Sequence, residues 1–197
     1  MSDRRILLAI VGIVCIAFCL PGCANDPEQG VTDFADSDIE WPTLHEREDL
    51  IETILLCYEN FDKASLEELG HFYGNVLYDD ASDDNDYVWM MDARDVADGH
   101  PALLTRAQDI NATKNIFSRA SELELFISPH QWIEASDICA GCWETTRVYS
   151  IVMVTGTGDE AKYMASGEMN IRFIAGPHHD DSGKWAIHVA CDLGKIQ

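Results

Sequence analysis

The chain has 197 residues and a formal net charge of −22, from 35 Asp and Glu against 13 Lys and Arg. That sign argues against phosphate backbones and anionic lipid headgroups as partners, so nucleic-acid binding is disfavoured. Hydrophobic residues make up 47%, and the length suits one domain with a real core rather than several.

The chain opens with a positive start, Arg4 and Arg5, followed by an uncharged apolar run from Ile6 to Leu20. A basic start, an apolar stretch of this size and a small residue before a cut describe an export signal. The run is short for a membrane span, which takes about 20 apolar residues. Where it ends, "LPGC" resembles the lipobox of bacterial lipoproteins. Leu20, Gly22 and Cys23 match that pattern, and Pro21 is a less usual occupant. The resemblance implies cleavage between Gly22 and Cys23, with lipid on Cys23 as a membrane anchor. Ala24 is not the Asp of the usual inner-membrane retention signal, which favours the outer membrane of a Gram-negative cell envelope.

Residues 23–42 contain six acids and no Lys or Arg, the composition of a flexible tether. A domain over residues 43–197 follows. "TLHE" predicts a capping box, Thr43 with Glu46, ahead of a helix whose apolar positions Leu50, Ile54, Cys57 and Phe61 recur at helical spacing. "SLEELG" predicts a second helix capped by Ser65 and leaving at Gly70, and "GNVLYDD" reads as a short strand. An acidic insertion at 79–100 reads as a solvated loop. Thr105 and Gln108 then open a third helix.

From Leu123 the apolar period becomes two. The sets Trp143, Tyr149, Ile151 and Met153, then Met169, Ile171 and Phe173, then Trp185, Ile187, Val189, Cys191 and Leu193 each fall on one strand face. Helices first and antiparallel strands after them predict an α+β fold. The order of "LIETILLCYENFDKASLEELGHFYGNVLYDD", "DINATKNIF" and "GEMNIRFIAGPHHDDSGKWAIHVACDL" resembles the nuclear transport factor two-like superfamily. That resemblance implies three N-terminal helices packed on a curved antiparallel sheet, forming a cone with an internal pocket. Tyr149, Met153, Met169, Phe173 and Trp185 are expected to line it, with Arg172 and His188 facing the other way.

Four cysteines lie in the domain. Cys139 and Cys142, between strand-like flanks, are expected to form a local structural disulfide, and Cys57 and Cys191 a second bridge or a pair of buried thiols. Asp80, Ser82, Asp84 and Asp86 have the alternating oxygen spacing of a calcium loop. The pattern then fails, because Asn85 replaces the turn glycine and Met91 the final Glu. "HHDD" (His178 to Asp181) offers ligand types in a turn, so no metal or other cofactor is expected.

The expected function is a non-catalytic binding or assembly module of the envelope. Its partners would be the membrane through the lipid, and a small apolar ligand, an envelope protein or a second copy of the chain. The alternative is an acid–base enzyme like the superfamily's isomerases and dehydratases. Asp92, His100 and His130 are its candidate groups, with Tyr73 or Tyr78 as hydrogen-bond donors. A buried carboxylate or His bonded to a tyrosine at the base of the cone would favour that alternative, and an apolar or collapsed interior the binding role.

Overall fold

The computed structural model describes residues 38–80, 87–158, 161–180 and 182–195. The expected signal at 1–22, Cys23 and the expected tether up to residue 37 lie outside the described residues, as do Ser82, Asp84 and Asp86 of the calcium-loop pattern. No described helix is long and apolar enough to cross a membrane.

The elements run α1 (Arg47–Glu59), α2 (Leu66–Asn75), β1 (Val88–Met90), α3 (Ala93–Ala97), β2 (Leu103–Thr105), α4 (Arg106–Arg119), β3 (Ala120–Ile127), β4 (Ile133–Glu134), β5 (Trp143–Thr155), β6 (Lys162–Ala165), β7 (Met169–Pro177) and β8 (Trp185–Lys195). The expected three helices before an antiparallel sheet become four helices among the described residues, with two strands ahead of the last. The sheet has eight strands in the order β2-β1-β8-β7-β5-β3, with β4 and β6 also paired to β5. It is mixed, because β1 runs parallel to β8.

Helix α1 starts later than the Thr43 box predicts. Leu44 takes a left-handed turn (φ 63°), is buried, and accepts a hydrogen bond from the Trp185 amide at 2.8 Å. The cap is therefore Glu46, whose N–H donates to Asp49 at 3.1 Å. Order also reaches into the expected tether, where Trp41 stacks on Phe72 with ring centroids 4.1 Å apart.

Helix α2 runs through Gly70 to Asn75 instead of leaving there. A Cβ at Gly70 would lie 2.8 Å from the Lys114 side chain, and one at Gly74 3.1 Å from Ile110. The two glycines serve the close packing of α2 on α4, not a helix exit. The strand predicted after them reduces to a single parallel bridge, Leu77 to Ile187.

The acidic insertion is only in part a solvated loop. Tyr87 is 1% exposed, β1 joins the sheet, and α3 is capped by the Asp92 carboxylate, which accepts from the Arg94 amide at 2.7 Å. Apolar residues Tyr87, Val88 and Trp89 punctuate the acids, and they buy the segment its place in the sheet.

Strand β8 departs from simple alternation. Register shifts fall opposite Ile174/Ala175 and opposite Asn170/Ile171, and each extra residue moves the following side chains to the other face. Ile187 points into the core, but after the first bulge Ala190 and Asp192 do so. Cys191 and Leu193 are therefore turned off the expected core stripe, and Leu193 is 49% exposed. The Cys57–Cys191 bridge does not form: both thiols are free. Cys57 is fully buried and its thiol faces the Leu69 carbonyl. Cys139 and Cys142 are joined, closing the turn between β4 and β5 with their Cα atoms 5.3 Å apart.

An ion pair between a buried arginine and a largely exposed glutamate ties the layers together. Arg147 on β5 is 1% exposed and forks onto Glu48 of α1 at 2.9 and 2.7 Å. It also donates to the Ser128 and His130 carbonyls, and its guanidinium lies over the Trp132 ring.

Candidate active site

Between the helices and the inner face of the sheet lies a cavity of about 330 Å³. It is continued by a smaller apolar void of about 70 Å³, and both share Tyr58, Tyr73, Trp89, Tyr149 and Ile151 as walls. The sheet contributes Tyr149, Ile151 and Met153 from β5 and Met169 from β7, alternate positions on one face. Phe173 lines the smaller void. Trp185 stands away from both, with the Arg47 guanidinium 4.7 Å from its ring centroid.

The dominant polar feature is Asp109. It sits in the first turn of α4, whose entry is fixed by the Thr105–Gln108 capping box. Positions 109, 113 and 117 recur every four residues, so Asp109, Thr113 and Phe117 share the buried face of the helix. Asp109 is 6% exposed. Its Oδ2 accepts from the Tyr87 hydroxyl at 2.7 Å and from the Tyr73 hydroxyl at 3.2 Å. Burial outweighs these two bonds and pushes its pKa up to about 6. The same burial, with the Asp109 charge next in importance, pushes the phenols of Tyr58, Tyr73 and Tyr87 upward, so they stay protonated donors.

A second pair stands on the sheet side. The Tyr149 hydroxyl donates to Asp192 Oδ2 at 3.0 Å, and the Gly194 amide donates to Oδ1 at 2.8 Å. Burial is again the main cause, and it raises the Asp192 pKa above the ordinary carboxylate range. Asp192 reaches the cavity only because β8 has changed face at its bulge.

Of the acid–base candidates read from sequence, Asp92 and His100 line the cavity, and His100 is 6% exposed. His130 is exposed and away from it, offering its carbonyl to Arg147 at 3.0 Å. Tyr73 is a donor to Asp109, whereas Tyr78 stacks on His188 at 3.9 Å outside the cavity. His178 faces Asp180 across the β7–β8 turn at 3.0 Å. Among the described residues no three His, Cys, Asp or Glu side chains gather as metal ligands.

Asp109, Tyr87 and Asp192 were not singled out from sequence. The one available signal was Asp109 itself, a carboxylate on the buried stripe of an otherwise ordinary amphipathic helix. Tyr87 was hidden inside an acidic run, and Asp192 on the wrong parity of its strand.

No protein-family model matches this chain, and no curated protein is similar to it. Solved structures do resemble it. A nuclear transport factor 2-like superfamily protein from Salmonella enterica serovar Typhimurium is 10% identical, with a TM-score of 0.51 over 76% of this chain and 88% of that one. A domain of unknown function with a cystatin-like fold from Nostoc punctiforme is 9% identical, with a TM-score of 0.49 over 75% and 74%. A conserved protein from Planctomyces limnophilus is 12% identical, with a TM-score of 0.48 over 73% and 92%. The likeness to the Salmonella protein gives the fold: a nuclear transport factor 2-like cone with a curled sheet.

Proposed function

We propose that this protein is an acid–base enzyme that moves a proton on a small, mostly apolar molecule held in the cone, with Asp109 as the base. The observation that carries the reading is the buried Asp109 carboxylate on the cavity wall, fixed by two tyrosine hydroxyls and raised to about 6. A carboxylate in that range is largely ionised at neutral pH yet binds a proton far better than an ordinary Asp. Both phenols donate to Oδ2, which orients the group and leaves Oδ1 as the atom that takes the proton. The apolar surroundings keep competing water away from the carboxylate and strengthen its interaction with a bound C–H acid.

The reaction class is removal of a proton from carbon next to an activating group. The proton then returns elsewhere, or a leaving group departs from the neighbouring atom. Asp192, with Tyr149 on the facing wall, is the group that would exchange the second proton. We further propose that the enzyme works in the cell envelope, held by lipid on Cys23; the lipobox-like "LPGC" supports this.

A general-base probe tests the chemistry. In 5-nitrobenzisoxazole, loss of the C3 proton to a base breaks the N–O bond and leaves a coloured cyanophenolate. Turnover is expected to rise with pH through a midpoint near 6 and to collapse in Asp109→Asn. A rate unchanged by Asp109→Asn would remove Asp109 as the base and leave the cavity with a binding role only.

A further inference from the structure

The walls of the cavity carry a charge pattern that proton transfer alone does not require. Asp92, Asp95, Asp98 and Asp192 face it, against Arg94 and His100. Among the described residues no ion pair within 4.0 Å joins any of these four carboxylates to a lysine or arginine. They are also crowded. A Cβ on Gly194 would collide with the Asp92 carboxylate, and the amide of the same glycine holds Asp192. Burial raises the pKa of Asp95, and the Asp92 charge adds to it, while His100 and Arg94 act the other way; for Asp192, Asp95 and Asp92 add to burial, against the hydrogen bonds from Gly194 and Tyr149. Arg94 and His100 thus offset only part of the repulsion, and the wall keeps more acidic than basic groups.

The remaining wall is of a different kind. Met153, Met164, Met169, Ile116 and Ile151 form a soft apolar surface, and Trp89 adds an aromatic ring. Thioether and aliphatic groups accommodate a hydrocarbon body of varied shape, and a ring face attracts a cation. An anion entering here meets the carboxylates at reduced dielectric and is repelled. A neutral molecule dehydrates those carboxylates and gives them nothing in return. A cation with an apolar body satisfies both walls at once.

We propose that the cavity selects an organic cation: a protonated amine with a compact apolar body, its ammonium between Asp95 and Asp192 and its hydrocarbon against Met153, Met164 and Met169. The proposal rests on reading this cavity as the acid–base site, and it names the substrate class of that site. Selection is by sign of charge, so it extends to steering, since a strongly acidic chain draws cations towards the mouth.

Three molecules of nearly one shape test it: cyclohexylmethylamine, cyclohexylmethanol and cyclohexanecarboxylate, each titrated calorimetrically into the full chain at pH 7 in low salt and in 0.5 M salt. The amine is expected to bind about tenfold or more tighter than the alcohol, the carboxylate to give no binding, and added salt to narrow the difference. Asp95→Asn and Asp98→Asn, made separately and checked by thermal melting, should each weaken the amine and spare the alcohol. An alcohol that binds as well as the amine, or a carboxylate that binds at all, overturns the charge selection. So does failure of all three to bind. The 5-nitrobenzisoxazole assay, whose probe is neutral, reports the acid–base reading separately, so either idea can fall without the other.

Discussion

The Tyr87 hydroxyl lies 2.7 Å from Asp109 Oδ2, the shorter of the two tyrosine bonds to that carboxylate. It joins the segment before β1 to the first turn of α4. Tyr87→Phe removes a donor to the charged form, so the Asp109 pKa should move further up from about 6. Loss of a hydrogen bond to a charged group should also cost about 1.5 to 3 kcal/mol. Carbon-detected NMR titration of the Asp109 carboxyl and a denaturant melt would check the two effects. A downward movement would contradict the described geometry.

Asp109 also sets a stability trend with pH. Its pKa is raised from 3.8 in the reference state to about 6 in the fold, so the native state binds the proton more tightly. Stability from this group is full below pH 4 and is lost as pH rises through 6, by about 3 kcal/mol in total. Asp109→Asn should therefore be more stable than the parent at pH 8, with the advantage shrinking towards pH 4. Equilibrium unfolding at several pH values tests this, and a variant that is less stable at pH 8 would oppose it.

Glu48 works in the opposite sense. Its bond to Arg147 holds its pKa below the usual value, so its contribution is present above about pH 4.5 and fades on acidification. Glu48→Ala leaves the buried Arg147 without its half-exposed partner and should cost about 1.5 to 3 kcal/mol at pH 7. Glu48→Ala combined with Arg147→Met should recover part of that loss, because no charge is then left stranded. Additive losses in the double variant would mean that the two residues act independently.

The four domain cysteines should separate by alkylation. Cys57 is 0% exposed and burial pushes its thiol up to about 12, so it should react only on unfolding. Cys191, half-buried, should react slowly in the native protein. Cys139 and Cys142 should react only after a reductant is added. Rapid labelling of either of the latter two in untreated protein would show that the bond is open.

Anchoring is tested apart from the fold. Cys23→Ser should abolish acylation and release the domain from membranes on fractionation. Retention on membranes with residues 1–22 still attached would mean that an uncleaved apolar segment holds the protein.

The helices and the strands of the second half were legible because their apolar residues recur with clean periods, as Leu50, Ile54 and Cys57 do in α1 and Tyr149, Ile151 and Met153 in β5. The Ser65 and Thr105 caps were legible for the same local reason. What escaped was non-local. Gly70 looks like an exit unless Lys114 is known to lie against it. A bulge in β8 leaves no mark in composition, so Cys191 and Asp192 were assigned to each other's faces. Segment 87–100 was judged by its net charge, though Tyr87 and Trp89 decide where it sits. The polar centre of the cavity is hidden for the same reason: Asp109 is enclosed in the fold and held by two tyrosines 22 and 36 residues earlier in the chain.

Strand β8 pairs in parallel with β1 and antiparallel with β7, and Ile187 bridges to Leu77. The pairings with β1 and Leu77 join residues roughly a hundred positions apart, so much of the entropic cost of closing the chain falls on one strand near its end. During synthesis this strand emerges after every other described element. Until it docks, β1 has no parallel neighbour, Asp192 is not held against Tyr149, and the cavity wall facing Asp109 is incomplete. Asp109 would therefore reach its enclosed setting last, as a by-product of completion. A chain interrupted before residue 185 should keep its helices by circular dichroism and show an Asp109 that titrates like any solvated aspartate.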